Sequence, residues 1–221
     1  MSTTVSRRLR LVPFVWSKAL AEGLGTFLMV FIGCGSIALG WSGPAVSLTF
    51  GIAVTMVILT LGGISGAHIN PAVSVAFWRD GKLSNSLIGP YIIAQFLGAL
   101  LAAVLLGGVG PTTLDPSISY LTGFSIEVAI TAILMASILL VVQRTETRWV
   151  IALWVGATVA ILAFLVGPLT GASMNPARTF GPNLVSGLWP SLLFYFTSTF
   201  IGAWLACDIK RAFFPDKVNQ D

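Results

Sequence analysis

Residues 65–73 read SGAHINPAV, and residues 170–178 read TGASMNPAR. The two Asn-Pro-Ala triplets begin at Asn70 and Asn175, which lie 105 positions apart (175 − 70). Other pairs of identical residues keep this offset, among them Glu22 and Glu127, Thr26 and Thr131, Gly51 and Gly156, and Gly66 and Gly171. Self-similarity at a long, fixed period is typical of a duplicated unit, so we interpret the chain as two related halves.

The composition is that of a membrane protein. Among the 221 residues, 56% are hydrophobic and only 9% are charged, and the mean hydropathy is +0.91. An ordinary soluble domain carries about 25% charged residues. The net charge of +4 does not indicate a nucleic-acid-binding face, because the basic residues lie at the ends of apolar stretches. We therefore predict an all-α membrane protein.

Six apolar stretches are long enough to cross a bilayer, whose hydrocarbon core of about 30 Å requires about 20 helical residues. They lie at 19–39, 46–64, 87–106, 124–142, 149–167 and 190–209. The first stretch follows a basic, polar segment and has no small-residue cleavage site after a short apolar core. We therefore expect it to be retained as a membrane span.

The Lys and Arg residues predict which sides of the membrane the connections face. Eleven of the twelve flank the spans at alternate connections: Arg7, Arg8, Arg10, Lys18, Arg79, Lys82, Arg144, Arg148, Lys210, Arg211 and Lys217. Because cytoplasmic segments are enriched in basic residues, we expect a multi-pass protein of a plasma or bacterial inner membrane with both termini in the cytoplasm. The connections 40–45 and 107–123 then lie outside, and Arg178 is the only basic residue on that side.

Each half of the chain contains three spans, so the second half enters the membrane from the opposite side and the repeats are inverted. We place the repeats at approximately 15–106 and 120–210 within a single domain, 1–221. The segments 65–82 and 168–187 begin with helix-breaking residues and continue as apolar stretches too short to span. The sequence therefore predicts six transmembrane helices plus two re-entrant half-helices that meet near the bilayer centre.

The Asn-Pro-Ala triplet is typical of a helix start, because Asn caps the first turn and Pro lacks the N–H that would be unpaired there. One copy would indicate only a cap, but two copies in matched membrane segments indicate a site, made of Asn70, Pro71, Ala72, Asn175, Pro176 and Ala177. Two half-helices placed tip to tip direct their positive dipole ends at one point, which repels cations. A water oxygen held by both Asn amides is poorly oriented to relay a proton. These features predict the permeation of neutral molecules.

The paired triplets, together with the chain from Glu22 to the sixth span, resemble the aquaporins, the major intrinsic protein family. The resemblance implies a homotetramer with one pore in each subunit and a second constriction toward the outer mouth. Counting from the triplets as in the family places the four positions of this selectivity filter at Phe50, Ala163, Ala172 and Arg178. Arg178 is also the one basic residue that departs from the positive-inside pattern, and an arginine in a membrane segment is costly and typical of a functional site. The alternative is an arginine that snorkels to the outer interface. No cofactor or metal is expected.

Two of the filter positions carry small residues. Strictly water-selective members resemble one another in carrying His at the position of Ala163, so Ala163 and Ala172 predict a wider filter. Thr179 argues against a glycerol facilitator, since those members typically place Asp after the filter arginine. We predict a passive water channel that excludes protons and ions; the alternative is a broader channel for glycerol, urea, ammonia or hydrogen peroxide as well as water.

Three polar residues are interpreted as supporting the pore. Glu22 and Glu127 each lie 48 residues before their Asn (70 − 22 and 175 − 127). A buried carboxylate can accept hydrogen bonds from the N–H groups that a re-entrant loop leaves unpaired, so we interpret both as scaffold residues rather than a proton relay. His68 is interpreted as a structural residue lining the pore, with pH gating as the alternative.

Other classes of membrane protein fit the sequence less well. A secondary transporter also uses inverted repeats, but coupling needs an ion site or a proton carrier, and the spans offer almost none apart from the two symmetric glutamates. An enzyme needs a nucleophile, a base and an electrophile at one site, and the single histidine has no carboxylate cluster beside it. We therefore predict no enzymatic activity. Cys34 and Cys207 lie in spans and are interpreted as small apolar residues.

Overall fold

The structure is a computed structural model that describes the backbone of residues 2–215 and the side chains of residues 14–215. This part of the chain forms eight α-helices and no strand. The helices are α1 (Ser2–Ala38), α2 (Gly43–Ser65), α3 (Pro71–Arg79), α4 (Asn85–Leu105), α5 (Tyr120–Arg144), α6 (Arg148–Thr170), α7 (Pro176–Val185) and α8 (Leu192–Phe213), with a 3₁₀ turn at Trp189–Ser191 before α8. The side chains of Arg7, Arg8 and Arg10 and the whole of Lys217 lie outside the described residues.

Six of the helices are long and apolar enough to cross a membrane. They are the segment Phe14–Ala38 of α1, the helices α2, α4, α5 and α6, and the segment Trp189–Phe213 that contains α8. The predicted fold is confirmed, since the described residues form six such helices and two short ones. The helix α1 begins at Ser2, well before the first predicted span at 19–39. Hydropathy indicates the limits of the membrane-embedded part of a helix and not the limits of the helix itself.

The two short helices are the predicted half-helices. With nine residues in α3 and ten in α7, each is about 15 Å long, which is half of the hydrocarbon thickness. Each begins with Pro directly after an extended Asn cap, Asn70 or Asn175. The helices that precede them, α2 and α6, end at the left-handed residues Gly66 (φ 92°) and Gly171 (φ 75°). Glycine adopts this conformation without the steric cost that a Cβ brings.

Helix packing follows the duplication of the sequence. The helix α1 packs on α2 and α4 in the first half, and α5 packs on α6 and α8 in the second. The half-helix α3 lies against α4 and α8, and α7 lies against α8 and α4, so each half-helix contacts both halves. The helices α2 and α6 cross at Gly51 and Gly156, where a Cβ on Gly51 would lie 2.5 Å from the Gly156 carbonyl oxygen. Small residues allow this close approach in lipid.

The far end of α3 is anchored to α8 by ion pairs. Lys210, which is 2% exposed, donates to Asp80 at 3.1 Å, and Arg79 pairs with Asp208 at 2.5 Å. The Arg79 guanidinium also stacks on the Trp204 ring at 3.9 Å. We call this end of the bundle the Asp80 end, and the opposite end, which carries residues 107–119, the Gly110 end. The free tips of α3 and α7 are thereby directed to the centre of the bundle, where the two half-helices touch.

Candidate functional site

A cavity of about 890 Å³ extends through the bundle from the Gly110 end past its centre. Three of its walls are apolar stripes in which residues recur every four positions and so share one helix face. These are Val46, Phe50, Val54 and Ile58 of α2, Leu134, Ile138 and Val142 of α5, and Ile151, Val155, Val159 and Ala163 of α6. The remaining wall is polar and is formed by loops 66–70 and 171–175 together with Arg178. A cavity with one polar wall among apolar ones can hold a polar molecule without binding it tightly.

A second cavity, of about 710 Å³, continues toward the Asp80 end. The two cavities share His68 and Phe77 in their walls, so they meet at these side chains. The walls of the second cavity include charged residues, namely Lys18, Lys82, Glu146 and Arg148. The walls of the two cavities together extend from the Gly110 end of the bundle to the Asp80 end.

At the centre, the two predicted Asn residues are bonded crosswise. Asn70 Nδ2 donates to the carbonyl oxygen of Met174 at 2.8 Å, and Asn175 Nδ2 donates to that of Ile69 at 2.9 Å. Each Oδ1 caps its own half-helix, accepting from Ala72 N at 2.8 Å or from Ala177 N at 3.0 Å. An amide carries two N–H donors, so each Asn has one N–H beyond the bond that crosses between the halves. That of Asn175 contacts the Met29 Sδ, 3.8 Å from Nδ2.

The loop before α3 is strained, and Glu22 holds it. Ala67 (φ 49°) and Ile69 (φ 45°) adopt the left-handed conformation, which costs a non-glycine residue about 1–2 kcal/mol. The Glu22 carboxylate is fully buried and accepts from His68 N at 2.9 Å, from Ile69 N at 2.6 Å and from Ser65 Oγ at 2.6 Å. These bonds satisfy backbone donors that have no partner in a helix.

The second half repeats this arrangement at the same offset. Ala172 (φ 42°) and Met174 (φ 51°) are again left-handed. Glu127 accepts from Ser173 N at 2.9 Å, from Met174 N at 3.1 Å and from Thr170 Oγ1 at 2.7 Å, and it is also fully buried. Both carboxylates therefore bind strained loops, and both loops present Asn at the cavity.

Toward the Gly110 end, the cavity passes the four predicted filter residues. Phe50, Ala163, Ala172 and Arg178 all line it. The guanidinium carbon of Arg178 lies 4.9 Å from the centroid of the Phe50 ring, within the range of a cation–π contact. Arg178 Nη1 donates to the carbonyl oxygen of Gly110 at 2.7 Å, and the residue is 7% exposed. The charge is thus held in place beside the solute path.

The position on α6 is defined by the helix periodicity. Ala163 and its neighbour Phe164 both line the cavity. If the filter position on α6 were counted one residue further along, it would fall on Phe164 instead of Ala163. Ala163 continues the stripe of Val155 and Val159 at a spacing of four, whereas Phe164 is 55% exposed. This spacing favours Ala163 as the residue of α6 that faces the part of the cavity lined by Arg178.

His68 stacks in the wall where the two cavities meet. Its ring lies 4.6 Å from that of Phe77 and makes an edge contact with Tyr91 at 5.4 Å. Its Nδ1 lies 3.2 Å from Ser74 Oγ, and its backbone N–H donates to Glu22. The imidazole is therefore held on several sides. Within residues 14–215, His68 belongs to no group of three or more His, Cys, Asp or Glu side chains that could hold a metal ion.

Several residues at the site were not predicted from the sequence. Met29 of α1 lines the cavity, with its Sδ 3.8 Å from Asn175 Nδ2. Gln95, a polar residue in the third span, is predicted from the sequence only to make a helix-packing hydrogen bond. In the structure its Nε2 donates to Glu22 Oε2 and to Ser74 Oγ at 2.9 Å each. The left-handed Ala and Ile residues were also missed, since their side chains disfavour that conformation. The sequence offers one relevant signal, the 105-residue offset, because each strained residue of one loop has a strained counterpart at this offset in the other loop.

Comparison with known proteins identifies the family. The model of the family described as "Major intrinsic protein" matches residues 8–209. The chain is similar to Aquaporin NIP1-1 of Zea mays, with 38% identity over 206 residues that cover 87% of this chain and 72% of the relative. It is also similar to Aquaporin AqpM of Methanothermobacter marburgensis, with 35% identity over 230 aligned positions that cover 86% of this chain and 94% of the relative.

A solved structure has the same fold. The aquaglyceroporin from Plasmodium falciparum superposes with a TM-score of 0.81 at 26% identity, covering 89% of this chain and 95% of that one. The family match spans nearly the whole bundle, and the relatives agree with it in sequence and in fold. Members of this family are channels and not enzymes. The chain therefore belongs to the major intrinsic protein family and is a multi-pass membrane channel.

Proposed function

We propose that the protein is a passive water channel that conducts water in single file and excludes protons and ions. The observation that carries this proposal is the crossed pair of amides, in which Asn70 and Asn175 each donate one N–H to the opposite loop. The second N–H of Asn70 can donate to the oxygen of a passing water. That of Asn175 contacts the Met29 Sδ, 3.8 Å from its nitrogen, and because a thioether is a weak acceptor, a water oxygen can replace it. A water held through its oxygen is poorly placed to relay a proton, and the converging N-termini of α3 and α7 repel cations.

The alternative is a broader channel for small neutral solutes such as glycerol, urea, ammonia or hydrogen peroxide. Ala163 and Ala172 favour it, because neither side chain fills the cavity opposite Arg178. The likeness to the structure of the aquaglyceroporin from Plasmodium falciparum also favours it. Thr179 points to water, since glycerol facilitators typically carry Asp there.

Stopped-flow light scattering on proteoliposomes distinguishes the two functions. Vesicles are shrunk with an impermeant osmolyte to measure water flow and with glycerol or urea to measure the recovery of volume. Fast water flow without solute recovery supports the water channel, and fast recovery in glycerol supports the broader one. Saturable uptake coupled to an ion gradient would contradict both and favour a secondary transporter.

The Ala163→His substitution is expected to narrow the filter. An imidazole on the stripe that faces Arg178 would occupy space in the cavity and add a polar group to the path. We expect the glycerol-to-water permeability ratio to fall by about tenfold, the range by which small steric changes discriminate between substrates. The matched variant is Phe164→His, one residue along α6 and half exposed. If only Phe164→His lowers the ratio, Ala163 is not the filter position.

We propose that His68 is structural, so the His68→Ala substitution is expected to leave the pH dependence of water permeability unchanged. The ring is stacked on Phe77 and bonded to Ser74, and a residue held in this way lines the wall without moving. The measurement is water permeability across the pH range in which imidazole titrates, for the variant and the wild type. A pH-dependent step that is present in the wild type and lost in the variant would establish gating instead.

The remaining features of the protein are proposed on the same basis. We propose a single channel domain, 1–221, built from inverted repeats at approximately 15–106 and 120–210, with Glu22 and Glu127 as scaffold residues.

The basic residues at the Asp80 end, among them Lys18 and Lys82, support a cytoplasmic location for that end and for both termini, in a plasma or bacterial inner membrane. The family resemblance supports a homotetramer with one pore per subunit, which chemical cross-linking in the membrane would test.

A further inference from the structure

The loop between α4 and α5 is held against α7 by one buried amide. Asn183 of α7 has no exposed surface. Thr112 N donates to Asn183 Oδ1 at 2.8 Å, and Asn183 Nδ2 donates back to the Thr112 carbonyl oxygen at 2.8 Å. Asn183 Nδ2 also donates to Ser191 Oγ at 2.8 Å. Because both backbone groups of Thr112 are bound to a single side chain, the loop cannot shift there without losing both hydrogen bonds.

The Thr112 side chain extends this attachment to the loop that carries the second Asn-Pro-Ala triplet. Thr112 Oγ1 lies 2.9 Å from Thr179 Oγ1, which lies 2.6 Å from Ser173 Oγ. The Cα of Thr112 would lie 2.9 Å from a Cβ on Gly171, so only glycine leaves room for it. Thr112 is therefore packed directly behind the wall of the cavity.

Two residues before Thr112, the same loop supplies the hydrogen-bond acceptor of the filter arginine. The Gly110 carbonyl oxygen accepts from Arg178 Nη1 at 2.7 Å, and the buried Cys34 Sγ lies 3.8 Å from it. Gly110 is left-handed (φ 82°), and a Cβ there would lie 2.9 Å from Cys34 Sγ. Arg178 and Asn183 both belong to α7. The helix holds the loop through the bonds from Asn183 to Thr112, and the loop holds Arg178 through the carbonyl oxygen of Gly110.

We propose that Asn183 is a positioning residue of the selectivity filter. By fixing Thr112, it sets the place of the Gly110 carbonyl and, through that carbonyl, the place of the Arg178 guanidinium. A shift of about 1 Å would break the hydrogen bond to Arg178 and let the guanidinium leave the side of the solute path. The proposal rests on the proposed function and on the prediction that Arg178 is one of the four filter residues that select what passes.

The two hydrogen bonds between the Asn183 side chain and the Thr112 backbone are called the clamp below. The first half of the chain has no asparagine at the position equivalent to Asn183. The residue that corresponds to Asn183 at the 105-residue offset is Trp78 (183 − 105), whose Nε1 donates to the exposed Asn85 at 2.7 Å. The residue that corresponds to Arg178 is Val73 (178 − 105), which has no charge to position. At these equivalent positions of α3 and α7, the asparagine and the arginine therefore occur together in one half and are both absent from the other, which agrees with a positioning role.

The test compares Asn183→Ala and Asn183→Asp with a matched control, Thr199→Val. Asn183→Asp keeps the side-chain volume and the acceptor for Thr112 N–H but removes the donor. Thr199 is equally buried and bonds only carbonyl oxygens of its own helix, at Tyr195 and Phe196. The readouts are hydrogen–deuterium exchange of peptides within 107–119 and the glycerol-to-water permeability ratio of full-length protein in proteoliposomes.

In Asn183→Ala, we expect exchange in 107–119 to become about tenfold faster, because loss of the clamp eases local opening. We expect the permeability ratio to rise several-fold, with a smaller change in Asn183→Asp and none in Thr199→Val. If Asn183→Ala does not accumulate, the Asn183→Asp variant decides. The proposal is overturned if hydrogen–deuterium exchange in 107–119 is unchanged in the Asn183 variants. It is also overturned if that exchange becomes faster while the glycerol-to-water permeability ratio stays the same. If the wild type conducts neither solute, the proposed function fails, while the exchange rates still report whether Asn183 holds the loop.

Discussion

The Glu127→Ala variant is expected to accumulate poorly in the membrane and to elute as aggregate after extraction. The substitution removes the acceptor of three donors, namely Ser173 N, Met174 N and Thr170 Oγ1. Each buried donor left without a partner costs about 1–3 kcal/mol. The sum is comparable with the whole stability of a marginally stable protein, about 5 kcal/mol. In addition, the left-handed Met174 would lose its own bond to the carboxylate, and the left-handed Ala172 would lose the bond made by the N–H of the next residue, Ser173.

The measurement is monodisperse yield and thermal stability after detergent extraction. Glu146→Ala is the matched control, because Glu146 is an exposed residue in the connection between α5 and α6, and we expect it to behave as the wild type does. Glu127→Gln should lie between the two, since its amide oxygen still accepts while its NH₂ faces other donors. A Glu127→Ala protein as stable as the wild type would contradict the scaffold role. A stable Glu127→Gln protein that no longer conducts would indicate a direct role in transport.

The fold could be predicted from the sequence because two simple signals agree in it. Apolar length indicates the six spans, and the 105-residue offset indicates where the half-helices start. Helix ends were less well predicted, as the early start of α1 at Ser2 demonstrates. Hydropathy reports the cost of placing a side chain in lipid, and it contains no information on how far a helix continues into the aqueous phase.

The site residues could be counted from the triplets, but the contacts that hold them could not. Asn183 and Thr112 lie 71 positions apart, and no periodicity or repeat relates an asparagine of α7 to a loop threonine. The left-handed Ile69 is a second example, because a β-branched side chain disfavours that conformation. Local preference fails there because a buried carboxylate, Glu22, binds the backbone from another helix. Such long-range contacts become visible only when the chain is folded.

The double variant Arg178→Ala with Phe50→Ala is expected to lose solute and proton exclusion. The Arg178 guanidinium and the Phe50 ring lie 4.9 Å apart on the cavity wall, and the other two filter positions are already alanines. The substitutions remove both large side chains and the positive charge. We expect glycerol permeability relative to water to rise by at least about tenfold, the equivalent of 1.4 kcal/mol removed from a barrier, together with a measurable proton leak.

Stopped-flow recovery in glycerol and a pH-sensitive dye inside the vesicles measure the two effects separately. Val54→Ala is the matched control, because Val54 lies one helical turn from Phe50 on the same stripe and its truncation widens the cavity outside the filter. If exclusion of glycerol and protons stays intact in the double variant, the filter does not lie at these residues.

The single variants separate size from charge. Phe50→Ala leaves Arg178 bonded to Gly110, so it should admit glycerol while cations and protons stay excluded. Arg178→Lys keeps a positive charge but loses the planar group that stacks on the ring and reaches the Gly110 carbonyl, so it should change solute discrimination more than proton exclusion. If both single variants leak protons as strongly as the double variant does, exclusion depends on the shape of the path and not on the charge of Arg178.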